Sequence, residues 1–243
     1  MLLDTKISHT KNTIGFIPTM GALHEGHMSL VRRSIKENDI TIVSIFVNPT
    51  QFNNQEDYST YPSSLKRDKI MLQKAGVQFL FLPTYESLYE DNYSYKIIEK
   101  KISRKLCGVH RPGHFDGVLT VVMKLLNIVK PTRAYFGEKD YQQYLLIKKM
   151  AETFFIDAEI IPCDIIRENS GLAYSSRNNK LTRKDKILAS EFYHTLKKNI
   201  SKKEMKIQLE RSGFIVDYIE NLDNRRLGAV ILNRVRLIDN VKL

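Results

Sequence analysis

Residues 18–30 read Pro18-Thr-Met-Gly-Ala-Leu-His24-Glu-Gly-His27-Met-Ser-Leu30, and the fold is organised around them. The apolar run Ile14-Gly-Phe-Ile17 precedes this stretch, and Leu30, Val31, Ser34 and Ile35 follow at helical spacing. The pattern predicts a strand, a glycine-containing turn and a helix start. His24 and His27 then fall on a helix N-terminus, where backbone N–H groups lack intrahelical partners and the dipole attracts anions. That combination points to a nucleotide phosphate site. Two other readings fit the spacing: an exposed polar pair, or a partial metal site. The metal reading is weaker, because only Glu25 is a nearby candidate ligand, and Cys107 and Cys163 are too far apart in sequence to form a ligand pair.

The chain has 243 residues, 42% hydrophobic and 27% charged, which suits a globular protein with room for one large domain or two modest ones. Met1–Lys6 turns polar too soon for a signal peptide. No stretch approaches the ~20 apolar residues of a membrane span. The expected setting is the cytoplasm, with both thiols reduced and no membrane partner. A net charge of +11 raises the question of nucleic acid. The cations are spread out, however, with the densest runs at Lys100-Lys101, Arg104-Lys105, Arg183-Lys184 and Lys202-Lys203. Solvated helix faces and an anionic substrate account for such a distribution.

Ile40–Val47 is a near-continuous β-branched and aromatic run, as expected of a central parallel strand covered on both faces. It ends at Asn48-Pro-Thr-Gln51-Phe52, beyond a strand's carboxyl end, where open α/β sheets bind ligands. Asn48 either recognises a ligand with Gln51 or closes a turn. The next helix carries Leu65, Asp68, Leu72 and Ala75 on one face, and Val77–Leu82 follows as a strand. Asp68 is either a boundary residue or a magnesium ligand near phosphates. Further on, the pattern predicts an edge strand at Tyr95–Ile98, a polar loop over Arg111–Gly117 and a buried helix over Val118–Val129. A short strand at Ala134–Phe136 leads into Gly137-Glu138-Lys139-Asp140 and a helix that brings Gln143 one turn beyond Lys139. Lys139 and Asp140 are either nucleotide contacts or a surface pair. Ala158–Ile166 reads as a strand interrupted at Pro162, and Tyr174-Ser175-Ser176-Arg177 as a phosphate clamp or an ordinary loop. Beyond Asn179 the composition shifts. Helices capped by Thr182 and Ser201 and strands at Phe214–Ile219 and Ala229–Leu237 are expected there, so the boundary is placed at 177/178, giving domains 1–177 and 178–243.

Taken in order, Pro18–His27, Phe46–Phe52, Arg111–Gly117, Phe136–Gln143 and Gly171–Asn178 resemble the pantoate–β-alanine ligase family. Weaker likeness returns at Val216–Glu220 and Arg236–Asn240. The resemblance implies a Rossmann-like parallel α/β sheet of the histidine-motif nucleotidyltransferase superfamily, a small α+β C-terminal domain and a homodimer. It implies ATP-dependent condensation of D-pantoate with β-alanine through a pantoyl adenylate, with Mg2+. It surrounds ATP with Met20, Gly21, Ala22, Leu23, His24, Glu25, Gly26 and His27. It adds Gly137, Glu138, Lys139, Asp140, Ile166, Tyr174, Ser175, Ser176 and Arg177. The reacting phosphates fall to His24, His27, Lys139, Ser175, Ser176 and Arg177; pantoate and β-alanine fall to Gln51, Gln143 and Asn48, with Gln51 the residue near β-alanine; Mg2+ falls to Asp68. The chain departs from the family at Ser63, where arginine is usual, at Lys180, where tyrosine is common, and in a shorter C-terminal region. Competing readings are an AMP- or CMP-transferring relative, a nucleic-acid module and an inactive homologue.

Overall fold

The computed structural model describes residues 12–243, so the reading of Met1–Lys6 lies outside the described residues. The chain forms two compact units: residues up to 138 together with 142–163, and residues 139–141 together with 164–243.

The first unit runs β1 (Ile14–Thr19), α1 (Glu25–Glu37), β2 (Ile40–Ile45), α2 (Gln55–Ser59), α3 (Leu65–Ala75), β3 (Phe79–Phe81), α4 (Tyr85–Leu88), α5 (Cys107–His110), α6 (His114–Val129), β4 (Arg133–Gly137), α7 (Tyr141–Thr153) and β5 (Glu159–Cys163). Its strands are parallel in the order β3-β2-β1-β4-β5. The chain builds outward from β1 on one side and then returns to build on the other. The order therefore reverses between β1 and β4, the switch point where such sheets open a crevice at the strands' carboxyl ends. Phe16 and Ile17 of β1 and Ile42 and Val43 of β2 are wholly buried, as their unbroken hydrophobic runs require. Met28, Leu30 and Val31 of α1 pack with Ile17, Leu23, Val43, Tyr135 and Ile161 in one cluster. Burial on that scale contributes about 1.5–3 kcal/mol per large side chain.

The second unit holds α8 (Arg183–Leu196), α9 (Lys202–Arg211), β6 (Ile215–Leu222), β7 (Arg225–Leu232) and β8 (Val235–Lys242), the strands antiparallel in the order β6-β7-β8. Thr182 and Ser201 close full capping boxes with Asp185 and Glu204. Phe192, Leu196, Met205 and Leu209 form a core with Val230, Leu232 and Leu237.

Several expectations are corrected. Tyr95–Ile98 is not a strand; the Ile97 N–H donates instead to Thr120 Oγ1 on α6, at 2.9 Å. Helix α6 begins at His114, inside the expected loop, and Gly113 supplies the left-handed residue before it. β3 is shorter than Val77–Leu82. β5 ends at Cys163 and keeps Pro162, which the sheet edge tolerates because its missing N–H faces no neighbour. Ala229–Leu237 is not one strand. Asn233 and Arg234, both at positive φ, turn the chain between β7 and β8. Residues 164–177, which composition assigns to the first domain, group with the second unit. Leu172 joins the second core, and Arg167 forms a bidentate pair with Asp239 at 2.6 and 2.9 Å.

Candidate active site

In the first unit the chain leaves β1 and turns sharply before α1. Thr19 Oγ1 donates to the Ser44 carbonyl at 2.8 Å and accepts the Gly21 N–H at 3.1 Å. Gly21 is left-handed (φ +79°), and a Cβ there would lie 3.1 Å from Asp68 Oδ2. Ala22 is also left-handed, at φ +50°. This unfavourable turn is held by Asp68, which is buried on α3. Its Oδ2 accepts the Ala22 N–H at 2.8 Å and its Oδ1 the Leu23 N–H at 2.9 Å, with Ser64 Oγ adding a bond at 3.2 Å. Both carboxylate oxygens of Asp68 thus brace the loop, and among the described residues no group of three His, Cys, Asp or Glu side chains could hold a metal.

The turn delivers His24 to the N-cap of α1 and His27 to its first turn. The two rings stack, with centroids 4.0 Å apart and planes at 28°. Both imidazoles thus share one place with the N–H groups of the helix start, as the sequence predicts. Glu25, exposed, pairs with Arg32 along the helix surface.

Beyond β2, Gln51 sits at the end of a 3-10 turn, Pro49–Gln51. Asn48 fixes it. Asn48 Nδ2 donates to Gln51 Oε1 at 3.1 Å and to the Gly117 carbonyl at 3.2 Å. Asn48 Oδ1 accepts from Thr50 Oγ1 and Tyr89 OH, both at 3.0 Å, and from Thr50 N at 3.3 Å. Asn48 is 1% exposed and both polar atoms of its side chain are bonded within the protein, so it holds Gln51 in place. Burial pushes the Tyr89 hydroxyl up to about 12. The backbone of Gln51 is held too: its carbonyl faces His114 Nδ1 at 2.8 Å and accepts from Arg111 Nη2 at 3.3 Å. A Cβ on Gly117 would come within 2.5 Å of the Thr50 carbonyl oxygen, so glycine is what lets α6 approach this turn. Gln51 Nε2 donates to Met20 Sδ at 3.0 Å. Sulfur is a weak acceptor, so this amide donor is only lightly engaged.

On α7, Gln143 is half-buried. Its neighbour Gln142, which sequence reasoning passed over, ties down the preceding segment: Nε2 donates to the Ile102 and Lys105 carbonyls at 2.8 and 2.7 Å, and Oε1 accepts the Cys107 N–H at 3.1 Å. A Cβ at Gly137 would meet open space.

The second unit contains Lys139, Asp140 and the Ser175–Arg177 segment. Lys139 Nζ lies 3.9 Å from Asp140 Oδ1. A hairpin closes over residues 166–174: the Ile166 carbonyl accepts the Tyr174 N–H at 3.0 Å, and Arg167 bridges Ala173. Ser175 then caps the 3-10 turn Ser176–Lys180, its Oγ accepting the Arg177 N–H at 3.2 Å. Asn178 Nδ2 pins the same turn to the Ala173 carbonyl at 3.0 Å. Ser176 is buried, and Arg177 is half-buried. The runs Lys100-Lys101, Arg104-Lys105, Arg183-Lys184 and Lys202-Lys203 are all exposed, as expected of solvated faces.

This arrangement has close relatives. The sequence profile of the family described as Pantoate-beta-alanine ligase matches residues 2–242. A pantothenate synthetase of Bdellovibrio bacteriovorus is 50% identical over 231 residues, 95% of this chain and 92% of that protein. One from Coxiella burnetii is 52% identical over 229 residues, 94% of this chain and 89% of that protein. The crystal structure of the Francisella tularensis pantoate–β-alanine ligase, complexed with β-γ ATP and β-alanine, is 47% identical with a TM-score of 0.92, covering 96% of this chain and 90% of that one. The chain belongs to the pantoate–β-alanine ligase family.

Proposed function

We propose that the protein condenses D-pantoate with β-alanine at the expense of ATP, yielding pantothenate, AMP and pyrophosphate. A pantoate carboxylate oxygen attacks the α-phosphorus; the bond from that phosphorus to the bridging oxygen breaks, and pyrophosphate leaves with the electron pair. The β-alanine amine then attacks the acyl carbon of the adenylate, AMP leaves, and the amine gives up a proton to solvent.

Joining a carboxylate to a polyanion is opposed by charge, so catalysis comes mainly from positioning and electrostatic stabilisation. His24 and His27 donate ring N–H bonds to phosphate oxygens beside the start of α1. Lys139 and Arg177 supply cationic charge. Ser175 and Ser176 supply hydroxyl donors; Ser175 Oγ already accepts the Arg177 N–H, and its own proton remains to be given. Gln51 and Gln143 hold pantoate, and the open space beside Gly137 leaves room for the nucleotide. Mg2+ bound with ATP would supply further positive charge against the phosphates, while Asp68 holds the Ala22–Leu23 turn in shape. The reading further expects a homodimer acting in the cytoplasm. Among the described residues no helix is long and apolar enough to cross a membrane.

The observation that carries this reading is the clamp of Asp68 on Ala22 and Leu23, which sets the stacked histidines on a helix N-terminus at the carboxyl edge of a switch-point strand. The test is pyrophosphate release without β-alanine. Stoichiometric release that needs pantoate supports the reading. Release with another acceptor but not with pantoate contradicts it and favours an AMP-transferring relative.

A further inference from the structure

Asn240, near the end of β8, is 1% exposed and touches the segment that carries Lys139. Its Nδ2 donates to the Lys139 carbonyl at 3.2 Å, and its Oδ1 accepts from Arg225 Nη1 at 2.7 Å. Arg225, itself 4% exposed, lies over the Tyr141 ring at 4.7 Å. Tyr141 OH meets Asp223 Oδ2 at 3.2 Å. Residues 139–141 are thereby gripped at both ends by the β6–β7–β8 sheet, which explains why they group with the second unit. The neighbouring residue does related work. Asp239 takes the Arg167 guanidinium in a bidentate pair, and Arg167 also reaches the Asn240 carbonyl at 3.2 Å. Arg167 begins the hairpin that runs directly into Ser175–Arg177.

We propose that Asn240 is a positioning residue for Lys139, and that Asp239–Asn240 is the hub fixing both phosphate-binding segments of the second unit. The proposal rests on the reading that Lys139 contacts the ATP phosphates. A long, flexible lysine acts at a defined point only if its backbone is fixed, and a misplacement of about 1 Å at a reacting group costs up to 10²-fold in rate. The Asn240 amide fixes that backbone through a single directional bond. It spends its other end on a buried arginine, so it cannot rotate to satisfy one partner without losing the other.

The test uses Asn240→Asp and Asn240→Ala in the full chain. Aspartate keeps the acceptor for Arg225 and removes the donor to Lys139; alanine removes both. Each is expected to lower the rate of pantoate-dependent pyrophosphate release by roughly ten- to a hundred-fold and to raise the ATP KM, leaving the pantoate KM unchanged. In a Lys139→Ala background the same substitutions should cost little more, because the side chain they position is gone. Multiplicative losses in the double variants, or a pantoate KM that rises with the ATP KM, would overturn the proposal. So would loss of the cooperative unfolding transition in both single variants, since Asn240 would then hold the fold. If Lys139→Ala itself leaves ATP use intact, the underlying assignment of Lys139 fails instead.

Discussion

Asp68 Oδ1 accepts the backbone N–H of Leu23 at 2.9 Å, joining the third helix to the loop that precedes the first. Asp68→Asn places a donor against a backbone donor in this buried clamp. The variant should lose about 1–3 kcal/mol of stability and show a raised ATP KM. The Mg2+ concentration giving half-maximal activity at fixed ATP should not move. Urea unfolding together with a Mg2+ titration checks this; an altered Mg2+ requirement at unchanged stability would show Asp68 to be a metal ligand.

Gln51→Ala should raise the pantoate KM by at least about tenfold while sparing the ATP KM, since one recognition bond to a buried polar group is lost. Asn48→Ala should give the same signature, because Asn48 Nδ2 holds Gln51 Oε1. Steady-state kinetics with each substrate varied in turn distinguishes this from general misfolding, which would raise both constants together.

His27→Ala should slow adenylate formation by roughly 10²-fold or more, in line with losing a donor aimed at developing charge. Rapid-quench measurement of the first turnover reads that step directly. A first-turnover rate equal to that of the unsubstituted chain would remove His27 from the chemistry.

Tyr89 connects stability to alkaline pH. Burial raises its hydroxyl from 10.0 to about 12, so the folded state keeps a proton that the unfolded state gives up. Its contribution is fully present below about pH 10 and is lost as pH climbs through about 12. Tyr89→Phe, which also removes the bond to Asn48, should cost about 1 kcal/mol at neutral pH and lose less stability between pH 10 and 12. Denaturation midpoints across that range decide it; parallel curves for the two chains would contradict the linkage.

Much of this was legible in the residues. Ile40–Val47 announced a central strand because both its faces need covering, and His24 and His27 announced a helix start because Gly26 and the apolar spacing leave few other choices. What escaped were contacts between distant positions. The partners of Asp68 lie 46 and 45 residues away, and its place on an apolar stripe fits a metal ligand equally well. Asn240 reaches across 101 residues to Lys139, a tie no local pattern encodes. The turn at Asn233-Arg234 was missed because arginine carries no preference for positive φ. Tyr95–Ile98 has strand composition, but Ile97 finds its hydrogen bond on a helix.

The most direct measurement is product analysis after incubating the chain with ATP, Mg2+, D-pantoate and β-alanine. Pantothenate, AMP and pyrophosphate should accumulate in equal amounts, and omitting any one substrate should abolish the amide. Release of ADP and phosphate, or AMP formation with no amide product, would contradict the account.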